Sequence, residues 1–245
     1  AQPARALGTF NTVLQEALSA LGRIYLQLSI SPKVNSLSSA SNIKILKNKA
    51  PTIVFKNVSF SYNKKSNVLD NINFFIDSGS KVALVGQSGA GKSSIINLIS
   101  RFYDPAFGEI FINNQNIKDV NINSLRNNIA LVSQDTIIYN KNFKENIKFG
   151  NLKATHKKIK EAAKNAGIHD FISNSLNGYE TIVGEGGNNL TEGHKQRISI
   201  ARAILKDAPI QLLDEATNTL DAITENEINK TREKLTKNKT TTTDA

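Results

Sequence analysis

Cysteine and methionine are both missing from the 245 residues, and histidine occurs only three times. Without cysteine, neither disulfides nor thiolate metal sites can form. His156, His169 and His194 are not spaced to share one helix face, which argues against a zinc site. A chain with no methionine has no initiator residue, so it reads as a fragment or a processed product. No apolar run approaches the ~18 residues that a membrane span needs, and no secretory leader is visible. Aromatic residues make up 7% of the chain. They do not stud any basic stretch, which leaves no stacking surface for single-stranded nucleic acid.

What is present is a hydrophobic fraction of 39%, enough for a true core. The length suits one large domain, or one domain with an appendage. The net charge of +10 suits an anionic partner: a nucleotide, a nucleic acid or an acidic membrane surface. Solubility combined with a compositional bias toward lysine and asparagine accounts for the same charge equally well.

The chain is organised around residues 81–94, KVALVGQSGAGKSS. Residues 81–85 read as a short buried strand. Gly86, Gln87, Ser88, Gly89, Ala90, Gly91, Lys92 and Ser93 then fit G-x-x-x-x-G-K-[ST], and Ser94 leads into a helix with apolar residues at helical spacing. Glycines let the backbone approach a phosphate chain. The loop amides and the positive end of the helix face the anion. Lys92 is expected to neutralise the outer phosphates and Ser93 to hold Mg²⁺.

Upstream, residues 6–30 carry Leu7, Phe10, Leu14, Leu18, Leu21, Tyr25 and Leu28 at three- and four-residue steps, an amphipathic helix too polar to cross a bilayer. Residues 31–50 are rich in Ser, Asn and Lys and read as an exposed linker. The compact domain starts near Pro51 with a strand over residues 53–60 that has a central irregularity. Tyr62, at its end, can stack on a purine or pack on the surface. Residues 129–132 form a buried strand ending near Gln134, where the ligands of a sheet sit and where an amide can reach a metal or an attacking water. Thr191 is placed to cap a helix running to Lys206. Residues 209–215 read as a buried strand, interrupted by Gln211 and ending in two acids. Asp214 would hold Mg²⁺ through water, and Glu215 would polarise the attacking water. A charged helix is expected after Leu220 and Asp221.

This ordered set resembles the nucleotide-binding domain of ATP-binding cassette transporters, over roughly Pro51 to the end. Tyr62 matches the adenine-stacking aromatic, residues 86–93 Walker A and Gln134 the Q-loop. Residues 190–194 stand where the signature LSGGQ falls, residues 212–215 match Walker B with its catalytic glutamate, and residues 218–221 match the D-loop ending in Asp221. Residues 181–186 resemble an exporter element, and residues 6–30 resemble the cytoplasmic end of an exporter's last membrane helix. The resemblance implies an α/β P-loop NTPase fold, with a parallel ATPase core, an antiparallel β subdomain and a helical signature subdomain. It divides the chain into an amphipathic helix (1–30), a linker (31–50) and a nucleotide-binding domain (51–245). It implies ATP and Mg²⁺ as ligands, with Lys92, Gln134 and Glu215 catalytic. Ser93, Gln134 and Asp214 would lie at the metal. Tyr62, residues 86–94, Thr191, Glu192, Gly193, His194 and Asp221 would lie at the nucleotide. The implied partners are a transmembrane domain and a second nucleotide-binding domain paired head to tail at the cytoplasmic face of a membrane, with no specific nucleic acid. Powering export is the leading function. A nucleotide-binding subunit impaired in hydrolysis is an alternative, and so is a non-transport cassette protein acting on DNA or ribosomes.

The chain departs from the family pattern in two places. The signature reads LTEGH, and Glu192 puts a carboxylate where the partner's γ-phosphate is expected, opposing closure by roughly 1–4 kcal/mol; a protonated His194 would offset part of that. The residues from Thr240 reach the start of the strand that carries the family's switch histidine, and none of them is a histidine.

Overall fold

A computed structural model describes residues 2–32, 34–37, 39–46, 49–63, 66–214, 233, 236 and 238–244. The chain divides into two units, Ala1–Asn35 and Ser36–Ala245. The first holds α1 (Gln2–Leu28). Its predicted apolar residues Phe10, Leu14, Leu18, Leu21, Tyr25 and Leu28 are all exposed. No helix among the described residues is long and apolar enough to cross a membrane.

The second unit begins with β1 (Ile53–Phe60), β2 (Leu69–Ile76), β3 (Lys81–Leu84), α2 (Lys92–Ile99), β4 (Phe107–Ile112), β5 (Gln115–Asn116), α3 (Ile122–Asn127) and β6 (Ile129–Val132). It continues with α4 (Phe143–Lys148), α5 (His156–Asn165), α6 (His169–Ser173), α7 (Glu192–Lys206), β7 (Ile210–Leu213) and β8 (Thr240–Asp244). β1, β2, β4 and β5 make an antiparallel sheet in the order β2-β1-β4-β5, and the other four strands make a parallel sheet in the order β3-β8-β7-β6. The irregularity expected in β1 is a bulge: the register shifts between Phe55 and Val58, and Asn57 takes φ 49°. Asparagine tolerates that left-handed conformation better than most residues.

Two apolar cores follow from this layout. Ile53, Phe55 and Ile112 of the antiparallel sheet pack with Ile96 and Leu98 of α2 and Leu212 of β7. Phe143, Ile147, Ile159, Ile172 and Ile198 join α4–α7 into a helical body that reaches Val132 of β6. The α/β ATPase-type architecture expected from the sequence is the architecture observed.

Four details differ from the expectations. β3 is an edge strand of the described sheet and is only half-buried, with Lys81 and Ala83 exposed, because β8 covers one side of it alone. Residues 41–45 are tied down although Ser41, Asn42 and Lys44 are exposed. Ile43 is buried, the Asn121 amide donates to the Ser41 carbonyl, and Lys44 exchanges two hydrogen bonds with the Gln115 side chain. An isoleucine within a polar stretch is enough to pin it, since burying that side chain is worth ~1.5–3 kcal/mol. Gln211, fully buried, is half satisfied: Nε2 donates to the Ala208 carbonyl at 2.7 Å, while Oε1 has no partner. Finally, residues 240–244 do more than begin a strand. β8 is paired on both sides and is the only link between β3 and β7 among the described residues.

Candidate functional site

The loop between β3 and α2 turns on Gly91, which has φ 91° and occupies the N-cap position of α2. A Cβ there would lie 2.7 Å from Leu69 Cδ2 and 3.1 Å from the Val68 carbonyl oxygen, so only glycine fits. The start of α2 borders the open space over the loop, where a helix N-terminus favours an anion. Lys92 curls back over the loop, and its Nζ donates to the Gly86 carbonyl at 2.8 Å.

A cavity of about 400 Å³ opens over this loop. Tyr62, residues 87–94 and Gln134 line it, and so does Asp244 at the end of β8. Tyr62 stands edge-on to Phe60 and Tyr103, and its hydroxyl is 3.0 Å from Ser94 Oγ. That leaves the ring half-exposed at the rim, fixed in position and able to accept a flat base. Ser94 itself is buried by this contact.

Ser93 Oγ donates to Asp214 Oδ1 at 3.0 Å, across 121 residues of sequence. The two meet because α2 starts beside the carboxyl ends of the parallel strands, where β7 delivers Asp214. A hydroxyl and a carboxylate side by side are hard oxygen donors of the kind that Mg²⁺ takes. Glu215 and Asp221, assigned from sequence to water activation and the D-loop, lie outside the described residues, as does the charged helix expected after them.

Thr191 caps α7 as expected, its Oγ1 accepting from the His194 amide at 3.3 Å. Among the described residues, Thr191, Glu192, Gly193 and His194 do not line the cavity over the loop. Glu192 is exposed and ion-paired with Lys195 at 2.8 Å. His194 is a correction: its ring stacks on Phe171 at 3.7 Å, and its Nδ1 is buried without a partner. Burial first, and then the nearby Arg197 charge, lower its pKa below the usual histidine value, so it does not act as the cation that offsets Glu192. Lys195 supplies that charge instead. The exporter-like residues 181–186 lie against the start of α4, with the Phe143 amide donating to the Thr181 carbonyl and the Val183 amide to that of Lys141.

Sequence reasoning missed Lys195, Asp244 and the half-buried Arg202. An i,i+3 spacing from Glu192 could have flagged Lys195. Arg202, on α7, donates to the carbonyl and side-chain oxygens of Asn146 and to the Ile137 carbonyl, fastening the segment after Gln134 to the helix. Nothing in a sequence marks such a long-range contact.

A glycine loop between a parallel strand and a helix, with an acid at the end of another strand of the same sheet, defines a P-loop nucleoside-triphosphatase fold. The comparisons narrow the class. A family model described as ABC transporter matches residues 69–218, and the chain belongs to that family. It is 41% identical over 240 residues to an ATP-dependent lipid A-core flippase of Syntrophus aciditrophicus, covering 98% of this chain and 39% of that protein. It is 42% identical over 226 residues to the mitochondrial iron-sulfur clusters transporter ABCB7 of Homo sapiens, covering 92% of this chain and 30% of that protein. The structure of a bacterial Atm1-family ABC exporter with ATP bound superposes with a TM-score of 0.87 at 37% identity, over 98% of this chain and 41% of that one. The chain thus spans less than half the length of the relatives it matches.

Proposed function

We propose that this chain is the ATP-binding and ATP-hydrolysing part of a membrane exporter, working at the cytoplasmic face of the membrane on a transmembrane domain. The observation that carries the reading is the 3.0 Å contact between Ser93 and Asp214 beside an open glycine loop. Adenine stacks on Tyr62, and the phosphates lie along residues 86–94 with Lys92 at their outer end. Ser93 and Asp214 would hold Mg²⁺, which would supply positive charge against the outer phosphates; Gln134 lines the same cavity as Ser93. Glu215 takes a proton from water as that water attacks the γ-phosphorus. The bond to the β-γ bridging oxygen breaks, leaving ADP and phosphate.

Because the signature residues do not line the cavity of their own chain, they are free to complete the site of a second domain in a head-to-tail pair. Ile182, Glu185 and Gly186, the exposed residues of the element at residues 181–186, and the exposed stripe of α1 fit contact with a transmembrane domain. The names of the relatives concern chemically different cargoes, so the proposal stops at ATP-driven export. Binding without turnover is the second reading, favoured by the carboxylates of Glu192 and Asp244.

Equilibrium titration with ATP, with and without Mg²⁺, tests the core claim. Binding should require Lys92, and Ser93→Ala and Asp214→Asn should remove the Mg²⁺ dependence. Turnover that disappears in Glu215→Gln supports the hydrolytic reading, while binding with no turnover supports the second. A folded chain that binds no ATP would refute both.

A further inference from the structure

Asp244 is buried, with its side chain 1% exposed, and its Oδ1 lies 3.3 Å from Lys92 Nζ. The two atoms form an ion pair without hydrogen-bond geometry, and Oδ1 has no hydrogen-bond partner. The placement follows from register. Asp244 pairs with Leu84 at the end of β3, so its carboxylate emerges beside the loop that begins two residues later. It also lines the cavity over that loop. Its strand neighbours Thr240, Thr241 and Thr242 are buried, so an acid at this end of β8 is the charged exception in an uncharged strand. A carboxylate held this far from water needs a cation beside it, and Lys92 is the cation in place.

We propose that Asp244 is a positioning residue for Lys92. Its carboxylate engages the ammonium group, and a phosphate must displace it to be bound. A triphosphate then competes with an anion built into the sheet, and the carboxylate is left buried beside further negative charge once Lys92 turns to the ligand. Affinity is reduced by the fraction of molecules whose lysine is already released. The penalty falls on ligands whose outer phosphates reach Lys92. It spares AMP, which is held through Tyr62 and the near end of the loop. The inference rests on the nucleotide-site reading above.

The test uses the full chain and the variants Asp244→Asn, Asp244→Ala and Asp244→Glu, each first checked for a cooperative thermal transition. Affinities for ATP, ADP and AMP are measured by calorimetry. Asp244→Asn and Asp244→Ala should tighten ATP and ADP about tenfold and leave AMP unchanged. Asp244→Glu, which keeps the charge, should stay close to the original chain. A purely structural role would shift all three nucleotides together, and that result overturns the proposal. So does an ATP affinity that is unchanged in whichever of the two neutral variants folds. If neither the original chain nor the neutral variants bind ATP, the nucleotide-site reading falls and takes this inference with it. If the original chain binds and the neutral variants merely match it, only this inference falls.

Discussion

Replacing Arg202 by leucine should loosen the helical body while leaving the nucleotide cavity intact. The guanidinium makes three hydrogen bonds: Nε to the Asn146 carbonyl at 2.7 Å, Nη1 to the Ile137 carbonyl at 2.7 Å and Nη2 to Asn146 Oδ1 at 2.9 Å. Ile137 is exposed, so water can replace that donor. Asn146 is fully buried, and its two acceptors lose a charged donor that water cannot easily replace. Each such bond is worth ~1.5–3 kcal/mol. Part of this is returned because burial of the arginine is itself unfavourable, the same burial that lowers its pKa. The net expectation is a loss of about 2–4 kcal/mol. Urea denaturation should show it as a midpoint lowered by about 1 M at constant slope. Arg202→Lys keeps the charge but not the planar fork, and should recover only a minority of the loss. ATP affinity should hold, because Arg202 does not line the cavity over the glycine loop. A midpoint unchanged within ~0.2 M would show that the clamp on Ile137 and Asn146 is not what joins α7 to α4.

Gly91→Ala forces a Cβ against Leu69 and Val68 at φ 91° and should destabilise the fold by about 2–4 kcal/mol, read from chemical denaturation, while also weakening ATP binding. Glu192→Gly removes an N-terminal acid and its Lys195 pair from α7, so the chain should lose ~1 kcal/mol of stability. The same change should strengthen ATP-driven dimerisation in a Glu215→Gln background, measured by sedimentation, and no change in that dimerisation would end the charge-clash idea. His194 has a folded pKa below its unfolded value of about 6.5, so its contribution is complete above that value and is lost as pH falls through it toward the folded pKa. Thermal melts between pH 7.5 and 5.5 should therefore show a shallower decline for His194→Gln than for the original chain.

The parts legible in the sequence are those set by local rules. The glycine loop, the Thr191 cap and the bulge at Asn57 each follow from one residue type in one conformation. The meeting of Ser93 with Asp214 was legible because strand ends in a parallel sheet converge, whichever residues lie between. Other features depend on neighbours distant in sequence. The charge state of His194 depends on Phe171 stacked against its ring, a contact no local pattern announces. Ile43 looked like part of a linker until its burial was seen. Five residues with four consecutive threonines signalled a strand, but not that the strand would be central or that its acid would face Lys92.

The position of β8 carries a consequence for assembly. Among the described residues β3 and β7 meet only through β8, so the cradle and the acid opposite it are aligned only once a segment some 160 positions downstream of β3 threads between them. A nascent polypeptide that has emerged only through Asp214 would hold both Ser93 and Asp214 without the strand that sets them in register. Competence to grip a nucleotide is thereby deferred until nearly the whole of this stretch has been translated.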